Sequence, residues 1–247
     1  MEFLEVRNLK KIFDGVVAVA NLHFTAQKGE ILAIIGPNGA GKSTTFNLLS
    51  GLFLPDAGEI RFAGREITGA KPHERCLLGI GRTFQVCRPF LELSVLENVA
   101  TAYLFGRHPR PSLARAREGA AEVLARVGLA AKLNLFPAQL TAPDLKMLEL
   151  ARALATGPHL LLLDEVMAGL LPPECLRVME LVREIRAEGV TVILVEHVMK
   201  VVRELAERVI VMDYGQKICE GTYAEIAADP RVIAAYLGQE EGTENAG

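Results

Sequence analysis

Gly36-Pro37-Asn38-Gly39-Ala40-Gly41-Lys42-Ser43-Thr44 decides how this chain is read, because it follows the apolar run Ile31-Leu32-Ala33-Ile34-Ile35 and opens a helical segment, Thr45 to Leu49. An apolar run without polar alternation marks a strand covered on both faces. The glycines after it let the backbone curl, so that successive amide N–H groups converge on phosphate oxygens at a helix N-terminus. Lys42 adds a positive charge for the β and γ phosphates, and Ser43 offers its hydroxyl to Mg²⁺. The order of strand, loop and helix predicts a phosphate cradle in a nucleotide-binding α/β core.

A second stretch completes that chemistry. His159-Leu160-Leu161-Leu162-Leu163-Asp164-Glu165 is another covered strand, and it ends in two adjacent carboxylates. Like charges side by side are costly unless they are solvated or bound to a cation. A metal and a water resolve the cost, which assigns Asp164 to the Mg²⁺ shell, mostly through water, and Glu165 to polarising the attacking water as general base.

The rest of the chain fits around this core. Residues 2 to 9 and 16 to 27 alternate like half-buried antiparallel strands, Val190 to Val195 reads as a third core strand, and residues 208–213 and 216–220 read as a hairpin around Tyr214-Gly215. Short helices are expected near Tyr223 to Ala228 and Val232 to Leu237. From Val86 to Ala155 the strand signals vanish, and Ser94 to Phe105, Leu113 to Val127 and Leu145 to Leu154 carry apolar residues at helical spacing. The expected organisation is one domain over 1–247, with a core of 1–85 and 156–238, a helical lobe inserted at 86–155, and a polar, frayed tail at 239–247. Gly106-Arg107-His108-Pro109-Arg110-Pro111-Ser112 is expected to be a solvated connection between helices.

Composition excludes several alternatives. With 247 residues, 50% of them hydrophobic and 23% charged, the chain can bury a large core. Lys+Arg at 27 against Asp+Glu at 30 gives a net charge of -3, so no basic surface favours nucleic acid. Mean hydropathy is +0.25, yet charge interrupts every apolar stretch short of the roughly 18 residues that a membrane span needs. Met1-Glu2-Phe3-Leu4-Glu5 reads as the start of a strand and not as a secretory leader. The four cysteines, Cys76, Cys87, Cys175 and Cys219, are scattered without metal-ligand spacing.

Taken with four further segments, the motifs resemble the ATP-binding subunit of ABC transporters. The resemblance spans nearly the whole chain and implies a P-loop NTPase core of ABC type, with an antiparallel β subdomain and an inserted helical lobe. Gln85, in Arg82-Thr83-Phe84-Gln85, stands where that family places its Q-loop glutamine, which contacts Mg²⁺ or the attacking water. His197, in Val195-Glu196-His197, matches the switch histidine that bonds the γ-phosphate. Phe13 matches the aromatic residue that stacks on adenine, with Val19 packing near the ribose.

The fourth segment departs from the family pattern. Where Leu-Ser-Gly-Gly-Gln is usual, this chain has Leu140-Thr141-Ala142-Pro143-Asp144, followed by the retained Ala151-Arg152-Ala153-Leu154. Thr141 keeps the hydroxyl and, with Asp144 three residues on, forms a capping-box pattern; Pro143 is tolerated in a first helical turn. Pro143 removes an amide donor, however, and Asp144 adds negative charge near the phosphate of a partner's nucleotide. Leu171 also replaces the aspartate or asparagine that follows the second carboxylate in the family.

The resemblance implies that ATP and Mg²⁺ are bound by two such chains, head to tail, as a homodimer or a heterodimer with a sister subunit. The partners implied are two transmembrane permease subunits and, indirectly, an extracytoplasmic solute-binding protein, with the chain on the cytoplasmic face of the plasma membrane. Val86, Phe90, Leu91 and Leu93 are candidates for contact with a permease helix, or else for packing of the lobe. Gly81-Arg82-Thr83-Phe84-Gln85, Asp164 to Leu170, Glu220-Gly221-Thr222 and Tyr236-Leu237-Gly238 are similar to the importer branch for branched-chain amino acids. Subunits serving urea, amides or aromatic acids would look much the same. A regulatory nucleotide-binding subunit with little catalysis and a soluble, non-transport ABC ATPase are the alternatives.

Overall fold

The computed structural model describes residues 2–237, so the tail expected at 239–247 lies outside the described residues. Contacts divide the chain into two compact units, one formed by Pro72–Val192 and the other by the stretches on either side of it.

The first unit begins with β1 (Glu2–Phe13) and β2 (Val16–Gln27), an antiparallel pair in which Val6 faces Phe24 and Phe13 faces Val16. Asp14 and Gly15 both have positive φ, as the tight turn between right-twisted strands requires. The register shifts between Val6 and Leu9, where Asn8 takes a left-handed conformation, so buried Leu4 and Val6 are followed by Leu9 rather than by Asn8. β1 therefore runs on to Phe13, past the end expected at residue 9. The strand β3 (Ile31–Ile35) is buried at all five residues, and α1 (Lys42–Ser50) ends at Gly51 in the left-handed conformation that favours glycine. β4 (Ala57–Phe62) and β5 (Arg65–Glu66) complete an antiparallel sheet in the order β2-β1-β4-β5.

The second unit holds α2 (Pro72–Leu78), β6 (Ile80–Arg82), α3 (Val95–Phe105), α4 (Leu113–Arg126), α5 (Ala142–Ala155), β7 (Leu160–Asp164) and α6 (Pro172–Ala187). β6 pairs in parallel with β7, Arg82 beside Leu162. Ser94 caps α3 reciprocally with Glu97, and Ser112 caps α4. Buried Asn98 ties the approach to α3 together, since its side chain receives the Phe90 amide at 2.8 Å and donates to the carbonyls of Phe90 and Leu93 at 3.0 Å. Close packing of α3 on α4 needs Gly119, where a Cβ would fall 2.2 Å from the Tyr103 ring.

The basic connection after α3 is not merely solvated. The Arg107 amide donates to the Thr156 carbonyl at 2.9 Å, His108 Nε2 lies 2.9 Å from the Ala155 carbonyl, and the His108 ring stacks on Tyr103 at 3.6 Å. The last carbonyls of α5 lack intrahelical partners, and this segment meets them.

β8 (Thr191–Val195), buried throughout, carries the chain out of the second unit. The first unit then resumes with α7 (Met199–Leu205), β9 (Arg208–Asp213), β10 (Gln216–Gly221), α8 (Tyr223–Ala227) and α9 (Pro230–Leu237). β9 lies parallel to β3 and antiparallel to β10. Arg208 fastens this region by donating to Glu30 at 2.7 Å and to the Thr25 carbonyl at 2.6 Å. The four cysteines are free thiols.

Candidate functional site

In the first unit the phosphate loop is pressed against backbone. A Cβ at Gly36 would fall 2.1 Å from the Met212 carbonyl oxygen, and one at Gly41 would fall 2.5 Å from that of Ala18. Both glycines also have positive φ, so these two positions are closed to other residues on two counts. The loop is further held by the Gly215 amide, which donates to the Ala40 carbonyl at 3.1 Å.

Lys42 is 6% exposed, and its ammonium donates to the carbonyls of Gly36 at 2.6 Å and Pro37 at 2.8 Å. These bonds hold a buried positive charge over the loop it must serve. Thr45 Oγ1 donates to the Gly41 carbonyl at 2.9 Å, while no side chain caps the N-terminus of α1 at Gly41. Asn38, Gly39 and Ser43 are exposed, Thr44 is half-buried, and Pro37 and Ala40 are buried. The Tyr236 hydroxyl, on α9, also reaches this loop; burial raises its pKa, and a hydrogen bond from the Gly36 backbone opposes the rise.

Phe13 stands at the end of β1 with 37% of its surface exposed. Val19, by contrast, is wholly buried within β2. His197 follows β8 and is exposed.

In the second unit, β6 and β7 bring the remaining candidates together. Gln85 Nε2 donates to Glu165 Oε2 at 2.9 Å. Asp164 is 4% exposed and accepts from Arg82 Nη2 at 2.9 Å, while its own amide donates to Thr83 Oγ1 at 3.0 Å. The segment Arg82 to Gln85 is thus pinned at three points to the end of β7 or the residue after it. Burial pulls the Arg82 guanidinium pKa down, and its bond to Asp164 opposes that shift.

Glu165 has φ 51, a left-handed conformation uncommon for a side chain of its kind. Lys146 supports the turn by donating to the carbonyls of Glu165 and Ala168. A small cavity of about 20 Å³ is lined by Thr83, Gln85, Lys146, Asp164 and Glu165.

Thr141 and Asp144 form the capping box at the start of α5, with Pro143 in its first turn. The Asp144 carboxylate accepts from Thr141 Oγ1 at 2.7 Å and from Lys132 at 2.5 Å. The charge expected there is therefore paired within the chain. Leu171 is exposed and caps α6 only through its backbone.

Arg82 lies three residues before Gln85, in the same motif. Lys132, Lys146 and Phe53, which touches Phe13, give no signal in the sequence, because each acts through a long-range contact.

Comparison with known proteins identifies the family of the chain. Residues 19–168 match the family model described as "ABC transporter", and residues 216–242 match the model described as "Branched-chain amino acid ATP-binding cassette transporter". The chain is 37% identical to the high-affinity branched-chain amino acid transport ATP-binding protein BraF of Pseudomonas aeruginosa, over 96% of this chain and 98% of the relative. It is 38% identical to LivG of Escherichia coli K12, a protein of the same description, over the same shares. Among solved structures, it is similar to a nucleotide-free ATP-binding cassette from an ABC transporter, with a TM-score of 0.86, 30% identity and coverage of 96% and 99%. A cassette in its ADP conformation gives a TM-score of 0.85 at 31% identity, with the same coverage.

Proposed function

The chain belongs to the ATP-binding subunits of ABC transporters, and from that premise we propose that it hydrolyses MgATP to drive uptake of branched-chain amino acids. The observation that carries the substrate branch is the separate match at residues 216–242, which lies outside the general cassette match at 19–168. Substrate choice itself rests with the membrane and solute-binding subunits, since no pocket for an amino acid is needed here.

In this reading the residues take the roles that the resemblance implies, and the surroundings of Lys42 and Glu165 support two of them. Residues Gly36 to Thr44 bind phosphate, with backbone amides at the start of α1 and the ammonium of Lys42 supplying positive potential. An incoming phosphate competes with the Gly36 and Pro37 carbonyls for that ammonium. Phe13 stacks on the base. Glu165, held by Gln85, takes the proton of the attacking water, and His197 bonds the γ-phosphate. Thr141, at the exposed N-terminus of α5, is the residue offered to the nucleotide of a partner chain.

Mg²⁺ belongs to the substrate as the MgATP complex and supplies charge neutralisation of the phosphates. The donors that suit it are oxygen ligands, the Ser43 hydroxyl and the Asp164 carboxylate, with Gln85 as a third candidate. The described residues contain no cluster of three or more His, Cys, Asp or Glu that could hold a metal ion. That suits a cation whose other ligands are phosphate oxygens and water.

Two permease subunits are the partners in this reading, contacted through the exposed side chains of Phe84, Val86, Phe90 and Leu91 on the cytoplasmic face of the membrane. No described helix is long and apolar enough to cross a membrane. ATP binding favours a closed pair of cassettes, and hydrolysis removes the γ-phosphate contacts that favour it, so the permease alternates between states. The test is uptake of labelled leucine, isoleucine and valine into vesicles that contain the full transporter. Uptake that requires MgATP and is lost in Lys42→Ala supports the proposal; ATP-driven uptake of another solute class, with none of these three carried, overturns the substrate assignment.

A further inference from the structure

Phe13 is embedded in a small framework that the stacking role alone does not require. Its ring meets that of Phe53 edge to face, with centroids 5.1 Å apart and planes at 68°. The Lys11 ammonium lies 5.3 Å from the Phe13 centroid, and Asp56 holds it there at 3.0 Å. The same carboxylate accepts from the Ile12 amide at 2.6 Å, and the Asp56 amide donates to the Lys10 carbonyl at 2.9 Å. Asp56 thus fastens the segment after α1 to Lys10, Lys11 and Ile12, the three residues that precede Phe13.

Phe53 is tied in turn to the phosphate-loop helix, since its amide donates to the Asn47 carbonyl of α1 at 3.2 Å. α1 begins at Lys42, so the helix that presents its N-terminus to phosphate also positions, through residues 51–56, the aromatic pair at the end of β1. Phe13 and Phe53 are each 37% exposed, and Val16 at the start of β2 adds exposed apolar surface, as do Leu52 and Leu54 beside Phe53. A flat, apolar, aromatic group suits such a surface, whereas an inorganic phosphate gains nothing from it.

We propose that Phe53, together with the Lys11–Asp56 pair, is a positioning element for the nucleobase, fixing the Phe13 ring so that a purine stacks on a platform already ordered. The proposal rests on Phe13 being the base platform. A ring held in advance loses less freedom when the ligand arrives, so the gain appears as affinity for ligands that carry a base. Edge-to-face aromatic pairs of this geometry contribute a factor of about two to twelve.

The experiment measures binding of ATP and of inorganic tripolyphosphate to the full chain by titration calorimetry, for wild type, Phe13→Ala, Phe53→Ala, Phe53→Tyr and Asp56→Asn. Phe53→Ala is expected to weaken ATP by about two- to twelvefold while tripolyphosphate stays within twofold. Phe53→Tyr restores ATP binding, and Asp56→Asn shows a smaller loss, again confined to ATP. The tripolyphosphate values also report that each variant keeps its phosphate loop folded. Equal losses for both ligands in Phe53→Ala would mark a general structural role and overturn the proposal, as would no loss for either while Phe13→Ala weakens ATP. An unchanged ATP affinity in Phe13→Ala would remove the platform itself, and the proposal with it.

Discussion

Gln85 donates its side-chain amide to the Glu165 carboxylate across 2.9 Å, joining the loop after β6 to the residue that follows β7. Glu165 sits at φ 51 with its carbonyl accepting from Lys146 and from the Ala168 amide, so its backbone is held as well as its carboxylate. In the proposed mechanism this bond gives Gln85 the task of orienting the carboxylate. Gln85→Ala is expected to reduce phosphate release by the assembled transporter by about 10- to 100-fold, with nucleotide affinity changed by less than about threefold. Gln85→Glu sets a second carboxylate against Glu165 and is expected to slow phosphate release as well. Unchanged rates in both variants would contradict the assignment.

Arg82 and Asp164 form an ion pair at 2.9 Å with side chains 8% and 3% exposed. Removing one member of a buried pair leaves a charge without compensation, at about 3–5 kcal/mol. Arg82→Met should lower unfolding free energy by that order in denaturant titrations. The double variant Arg82→Met with Asp164→Leu should recover most of it. Equal instability of the two variants would mean that the pair itself is not the source.

Asp144 carries a pH prediction. Burial raises its pKa, but its hydrogen bonds to Lys132 and Thr141 outweigh this and hold the carboxyl below its ordinary value of 3.8. A carboxylate depressed in the folded state stabilises fully above the unfolded pKa and loses that contribution as pH falls through the folded value. The stability of wild type should therefore drop below about pH 4 by more than that of Asp144→Asn. Thr141→Ala removes the other half of the cap and should cost about 1 kcal/mol at neutral pH. Parallel acid-unfolding curves for wild type and Asp144→Asn would contradict this.

Pro143 leaves the first turn of α5 without one amide donor. The chain alone is expected to turn over ATP slowly and to dimerise poorly until its partner subunits are added. Pro143→Gly restores an N–H and should raise the partner-free rate. Fast turnover by the isolated wild-type chain, measured in solution, would show that the altered segment is no impediment.

The parts of this account that were legible in the sequence are those fixed by neighbours along the chain. β3, the phosphate loop and α1 follow one another without interruption, and the cap at Thr141 needs only the residue three positions on. β4 and β5 carry no strand signal in the sequence because Pro55, Asp56 and Gly58 break the apolar pattern at the start of β4, and their strand character comes from pairing with β1 and with each other. β6 is three residues with a glycine at its centre, and becomes a strand only beside β7. The Arg82–Asp164 bond joins residues 82 positions apart, so no local pattern encodes it. The loop at 106–112 looked solvated because its partners, the last carbonyls of α5, lie some fifty residues further on.

In the proposed function, triphosphate held by the loop around Lys42 is cleaved through Glu165. Nucleotide content and phosphate release in the purified transporter carrying Glu165→Gln test this. The Glu165→Gln complex is expected to retain ATP while releasing phosphate at least about 100-fold more slowly than wild type. Phosphate release at the wild-type rate would contradict it.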